Sequence, residues 1–249
     1  MRKAFFALSL ALLLLLPGCL DTAGRSSPVT LVVDVDSTSG EVVEARLADN
    51  SSDAANSAPA TITWDFSETF SGAGGIATYW VDPGDGSDWI EVNPSDDNTI
   101  SHDYTNHGVY KARAGANDTE GNTNTKDFTL FIDMEVRLSQ TNTGSPRDFW
   151  FDTTPGSDVV ETAKSFEILS AVENPTTVIL GSSVDVTWTL FDPSGTEVST
   201  YTVTVGDGVT ANWDYTHEAK PMRGGWMLQI TLDGDENVNV DNYATIRQQ

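Results

Sequence analysis

Cysteine occurs once in the 249 residues, at Cys19, which excludes a disulfide framework, a paired-thiol redox motif and a thiolate zinc site. Basic residues are scarce: 13 Lys and Arg stand against 37 Asp and Glu, for a formal charge of −24. A surface so acidic repels nucleic acid and anionic lipid, and it stays hydrated in salty water, where screening blunts its self-repulsion. There are three His, and no HExxH, GxSxG, P-loop or dinucleotide fingerprint. The expectation is therefore a protein that is not an enzyme. Helical periodicity is missing from every long segment, and beyond Leu16 no apolar run approaches the roughly 20 residues of a spanning helix.

What is present begins with Arg2 and Lys3, followed by an uncharged, leucine-rich run from Ala4 to Leu16 and then Leu16-Pro17-Gly18-Cys19. A basic start, a short apolar segment and a small residue directly before a thiol resemble the leader and lipobox of prokaryotic lipoproteins. Pro17 stands where that family usually has Ala or Ser. The resemblance implies that residues 1–18 are a signal peptide, helical while attached, and that Cys19 becomes the first mature residue and carries a diacylglycerol. It also implies that everything after Cys19 lies outside the cytoplasmic membrane, at the cell surface. Two acyl chains hold a protein on a membrane stably where one does so only marginally. Loss of Arg2 and Lys3 with the leader takes the formal charge from −24 to −26. Residues 19–27 then form a short lipidated tether.

From residue 28 onward the chain reads as strand after strand. Leu31, Val33 and Val35 alternate with Val32, Asp34 and Asp36, and Ile62, Trp64 and Phe66 alternate with Thr61, Thr63 and Asp65. The same period of two recurs at Phe128, Leu130 and Ile132, at Val184, Val186, Trp188 and Leu190, and at Trp226, Leu228, Ile230 and Leu232. Short strands punctuated by Pro, Gly, Asn and Asp predict an all-β chain. We expect two immunoglobulin-like or jelly-roll-type antiparallel β-sandwich domains, over residues 28–135 and 136–249.

In the first half, Tyr79-Trp80-Val81-Asp82-Pro83-Gly84-Asp85-Gly86, then His102-Asp103-Tyr104, then Gly108-Val109-Tyr110, then Asp118-Thr119-Glu120-Gly121 resemble the PKD domain, an immunoglobulin-like sandwich of extracellular proteins. The likeness covers about residues 58–135. It departs at Val81, where the family has Trp, and at Pro83, where it has Phe. The inward positions after Gly108 are Tyr110, Ala112, Ala114 and Ala116, smaller than the family's, so Trp64, Trp80 or Trp89 is expected to fill that volume. His102 and Tyr104 point the same way from one strand, with the phenol placed to bond the backbone of the corner. A catalytic base at His102 would need a partner that the sequence does not supply.

In the second half, Asp192-Pro193-Ser194-Gly195 is strong turn chemistry. The stretch from Trp188 to Trp226 faintly resembles jelly-roll domains that accompany secreted peptidases. Asp214-Tyr215-Thr216-His217 echoes Asp103-Tyr104-Thr105-Asn106, which suggests an internal duplication.

Candidate sites are few. Asp82, Asp85 and Asp88 crowd a Gly-rich turn and offer hard oxygen ligands for calcium, although Gly84 and Gly86 occupy places an EF-hand gives to ligands; no other cofactor is indicated. In the tail, Asp233, Asp235, Asn237, Asn239 and Asp241 would share a strand face, but at about 6.6 Å spacing they suit a hydrated face better than one ion. Asn50 and Asn117 begin glycosylation sequons. Phe149-Trp150-Phe151 and the region of Trp89 could stack on sugar rings, against the commoner use of aromatics as core. Together these features predict a non-catalytic surface lipoprotein for adhesion, protein binding or glycan binding. The alternatives are a structural envelope spacer, or a calcium-dependent hydrolase or its accessory subunit.

Overall fold

The computed structural model describes residues 27–46, 56–156, 161–176 and 181–249. Cys19, residues 1–18, where a signal peptide was expected, and Asn50 lie outside these. Among the described residues every regular element is a strand, so the all-β reading holds.

The first half contains β1 (Val29–Thr30), β2 (Asp34–Val35), β3 (Ser39–Arg46), β4 (Ala60–Asp65), β5 (Phe70–Ser71), β6 (Ile76–Asp82), β7 (Ile90–Val92), β8 (Thr99–Tyr104) and β9 (Gly108–Asp118). β2, β4 and β8 form a three-stranded sheet, and β1 pairs with β5. Facing the three-stranded sheet are β7, β6 and β9, in that order, followed by β10 (Thr123–Thr143). β3 runs parallel to β10 on its other edge, from Ser39 opposite Phe131 to Arg46 opposite Leu138. The alternation seen in the sequence sorts residues as expected. Ile62, Trp64, Tyr79, Val81, Ile100, Tyr104, Tyr110, Leu130 and Ile132 point inward and are buried. Where β9 offers only Ala112, Ala114 and Ala116, the facing sheet supplies the bulk through Trp64 and Phe66, both 0% exposed. Trp80 and Trp89 do not take part in that filling: they lie on the outer face. The expectation that any of the three Trp would serve is corrected to Trp64 alone.

The second half contains the later part of β10 with β11 (Phe149–Asp152), β12 (Ser165–Asn174), β13 (Val184–Phe191), β14 (Glu197–Val205), β15 (Val209–His217), β16 (Gly225–Asp233) and β17 (Val238–Arg247). One sheet runs β10, β17, β12, β15 and the other β11, β16, β13, β14, all antiparallel. This is the strand order of an eight-stranded jelly roll. Its core gathers Phe149, Phe151, Phe166, Trp188, Trp226 and Ile246, and the Trp188 indole N–H donates to Ser170 Oγ, which donates to Asn242 Oδ1. The two halves thus differ in topology, with β3 lying parallel along β10 from Phe131 to Leu138, across the division, and the echo between Asp103-Tyr104 and Asp214-Tyr215 does not extend to a repeated fold.

β10 is common to both halves. It pairs with β9 through Ile132 and with β17 from Met134 onward, so the division expected after residue 135 falls inside a continuous strand, beside its change of partner. Side chains bridge the same place. His107 is 2% exposed; its Nε2–H donates to Asp152 O at 3.1 Å, and its Nδ1 accepts from Gln248 Nε2 at 2.9 Å. The backbone N–H of Gln248 in turn donates to Asp133 Oδ1.

Candidate functional site

The Gly-rich turn between β6 and β7 is held by the residues that carry the sequence motif. Asp82 Oδ1 accepts the Gly84 N–H at 3.0 Å, and Asp85 Oδ1 accepts both the N–H and the hydroxyl of Ser87. His102 Nε2–H donates to Asp85 Oδ2 at 2.7 Å, and the Tyr104 hydroxyl donates to Pro83 O at 2.9 Å. Gly84 is required here: its φ is +75°, and a Cβ would lie 2.3 Å from Lys111 O. Burial opposes ionisation of Asp85, but the Ser87 hydroxyl and amide and the His102 ring outweigh it and hold the carboxyl below its ordinary value. Burial pushes the Tyr104 phenol far up, with the nearby Asp85 charge adding to it, so the hydroxyl stays a donor.

These bonds already engage the carboxylates offered to calcium. Asp82 and Asp85 are tied within the turn, Asp88 is exposed, and among the described residues no group of three or more His, Cys, Asp or Glu is arranged to hold a metal ion. The tail carboxylates separate: Asp233 ends β16, Asp235 and Asn237 lie in the following turn, and Asn239 and Asp241 stand on the outer face of β17. Asn117 is half-buried near the end of β9, where its Oδ1 accepts from Thr123; Asp118 beside it is buried and tied to Ser71 and Asn122.

What the turn does position is an aromatic platform. Trp89 follows it directly and lies on Trp80, with ring centroids 4.7 Å apart and planes within 8°. Trp80 is 5% exposed and Trp89 56%, so one indole serves as the bed and the other presents its ring to solvent. The bed exists because Gly115 is opposite Trp80 on β9: a Cβ there would come within 2.3 Å of the Trp80 ring. Residues paired across antiparallel strands share a face, so Glu91, Trp80, Gly115 and Thr125 form one outward row and Asp82, Arg113 and Asp127 the next. Arg113 Nε pairs with Asp127 Oδ1 at 2.6 Å. The result is an exposed aromatic plane rimmed by carboxylate, guanidinium and hydroxyl groups.

The other aromatic candidate divides. Phe149 and Phe151 are core, whereas Trp150, between them on the edge strand β11, is 44% exposed. Its ring lies over Gly225 and its carbonyl accepts from Arg46 Nη1 at 2.6 Å. The sequence reading passed over two features: the buried His107, whose partners are distant in the chain, and a cluster of arginines near Trp150.

No family model matches the chain, and no curated protein does. Among solved structures it is similar to a carbohydrate-binding module of the β-sandwich superfamily, at 13% identity and TM-score 0.32 over 90% of this chain and 99% of that one. It is also similar to the PKD1 domain of Vibrio anguillarum Epp, at 16% identity and TM-score 0.29 over 43% and 96%. A third is the CBM51-2 and INT domains of Clostridium perfringens ZmpB in complex with GlcNAc, at 11% identity and TM-score 0.26 over 87% and 48%. Scores this low carry no argument about this chain, whose all-β character and sites rest on its own residues.

Proposed function

We propose that the chain is a non-catalytic surface lipoprotein whose first sandwich binds glycans on the outer face of β6, β7, β9 and β10. The observation that carries the reading is the Trp80–Trp89 stack, an indole held flat and open to solvent among polar side chains able to bond sugar hydroxyls. Exposing a Trp in this way costs apolar burial, and fixing it on a second ring removes the entropy a ligand would otherwise have to freeze. Affinity electrophoresis of residues 20–249 against a panel of polysaccharides tests it. Trp89→Ala is expected to weaken retention about tenfold or more, the scale of a lost aromatic anchor, with the unfolding midpoint nearly unchanged. Equal retention of variant and wild type, or no retention of any polysaccharide, ends the reading.

The address rests on Leu16-Pro17-Gly18-Cys19. Mass spectrometry of the native amino terminus is expected to find a diacylated Cys19; an unmodified thiol, or a mature start well beyond it, contradicts the anchor. We further divide the chain after residue 135 into two modules. A second role, as a rigid spacer that holds the binding face away from the membrane, is favoured by one observation: β10 continues unbroken from one module into the other.

A further inference from the structure

β3 leaves β10 at Arg46, opposite Leu138, and a cavity of about 800 Å³ opens where β10 runs on past it. Its lining holds Arg46, Arg137 and Arg147, three of the 13 basic residues of the chain. None of the described lining residues is acidic, although the chain has 37 Asp and Glu. Three guanidinium groups thus gather at one cavity of an otherwise acidic chain.

The three are differently held. Arg46 is fixed by Glu44 and by Trp150 O, and Arg137 by Glu135 and by the Tyr243 ring, 5.8 Å from its guanidinium carbon. Arg147 is exposed and, among the described residues, makes no ion pair; Asp148 beside it accepts instead from Gln229. Beneath them Gln140 is 6% exposed. Its Oε1 accepts the Arg147 N–H at 3.1 Å, while its Nε2 is buried with no partner among the described residues. A donor buried without a partner is a cost to the fold. The rest of the lining includes Ser139, Thr141, Asn142, Thr143 and Ser145, neutral groups that suit sugar hydroxyls.

We propose that this cavity binds a carboxylated sugar, a uronic acid within or at the end of a glycan, with Arg147 and Arg137 on the carboxylate and the hydroxyl and amide side chains on the ring oxygens. Guanidinium groups match carboxylates in planar, two-bond geometry, and a cavity of this size is larger than a bare anion needs. The site is separate from the Trp89 face and does not depend on it.

Calorimetric titration of residues 20–249 with sodium glucuronate, with an oligogalacturonate and with glucose at low ionic strength tests the assignment. The uronates are expected to bind saturably, glucose about tenfold more weakly or not at all, and added salt to weaken the uronates alone. Arg147→Ala, on an exposed position, is expected to lower uronate affinity about tenfold with its unfolding midpoint unchanged; Arg137→Gln, the second variant, should lower it likewise, and Trp89→Ala should leave it intact. No saturable uronate binding, or wild-type affinity in Arg147→Ala, overturns the proposal. Displacement of uronate by equimolar sulfate would reduce the site to an anion site and overturn the sugar assignment. Uronate binding lost in Trp89→Ala but kept in Arg147→Ala would place it on the other face and do the same.

Discussion

The Tyr104 hydroxyl donates to Pro83 O from a side chain that is 1% exposed, so removing it leaves a buried carbonyl without its donor. Tyr104→Phe is expected to cost about 1–3 kcal/mol in urea unfolding. The near-ultraviolet signal of the tryptophans should weaken with it, because the turn that Tyr104 ties down is the one that delivers Trp89. The bond from Tyr104 to the backbone of the turn was legible in the sequence, as was the face it shares with His102, since residues two apart on a strand share a face; Asp85 as the partner of His102 came only with the structure. His107 was not legible either. Its two side-chain bonds reach 45 and 141 residues away, and no local pattern distinguishes a His about to be buried at a junction from one in a loop.

At the level of elements, β9 and β6 show how an outer face is shaped by what it lacks. Gly115 is the seat of Trp80, and a methyl group there meets the indole at 2.3 Å. Gly115→Ala is expected to tilt Trp80 off the sheet at a cost of about 1–3 kcal/mol, the range for overpacking, and to abolish the exciton coupling of the two stacked indoles in circular dichroism. An unchanged coupling would mean that the backbone yields instead. The sequence presented Trp80 next to Val81 inside one motif, and strand parity alone sends these two to opposite faces. It could not say which of Trp64, Trp80 and Trp89 would fill the space left by Ala112, Ala114 and Ala116, because that depends on which sheet faces β9.

Over the whole molecule, the junction at His107 predicts a pH response. Burial pushes the imidazole below its ordinary value of 6.5, outweighing the carbonyl of Asp152 and the charges of Asp152 and Asp133, which favour the protonated form; burial acts the same way on His217. A histidine whose folded-state pKa is depressed is neutral in both states at high pH. Below about pH 6.5 the unfolded chain takes up a proton that the folded chain refuses, so stability is complete above that value and declines as pH falls toward the folded-state pKa. Urea midpoints measured from pH 7.5 to 5 are expected to fall, and His107→Gln to flatten the decline in part, leaving the share of His217. A flat wild-type profile would show that the junction does not exclude the proton.

The all-β character, the positions of the turns and the inward residues of most strands are legible in the chain before it folds, because alternation and turn chemistry are local properties written within a few residues. The run Leu16-Pro17-Gly18-Cys19, on which the proposed anchor rests, is local in the same sense. Tertiary structure alone decided that β10 serves both halves, that the second half closes as a jelly roll, and that Arg46, Arg137 and Arg147 meet around one cavity while Trp89 settles on Trp80. Each of these depends on which strands become neighbours, and strand neighbours are selected by burial summed over the whole core, a quantity that no segment carries alone.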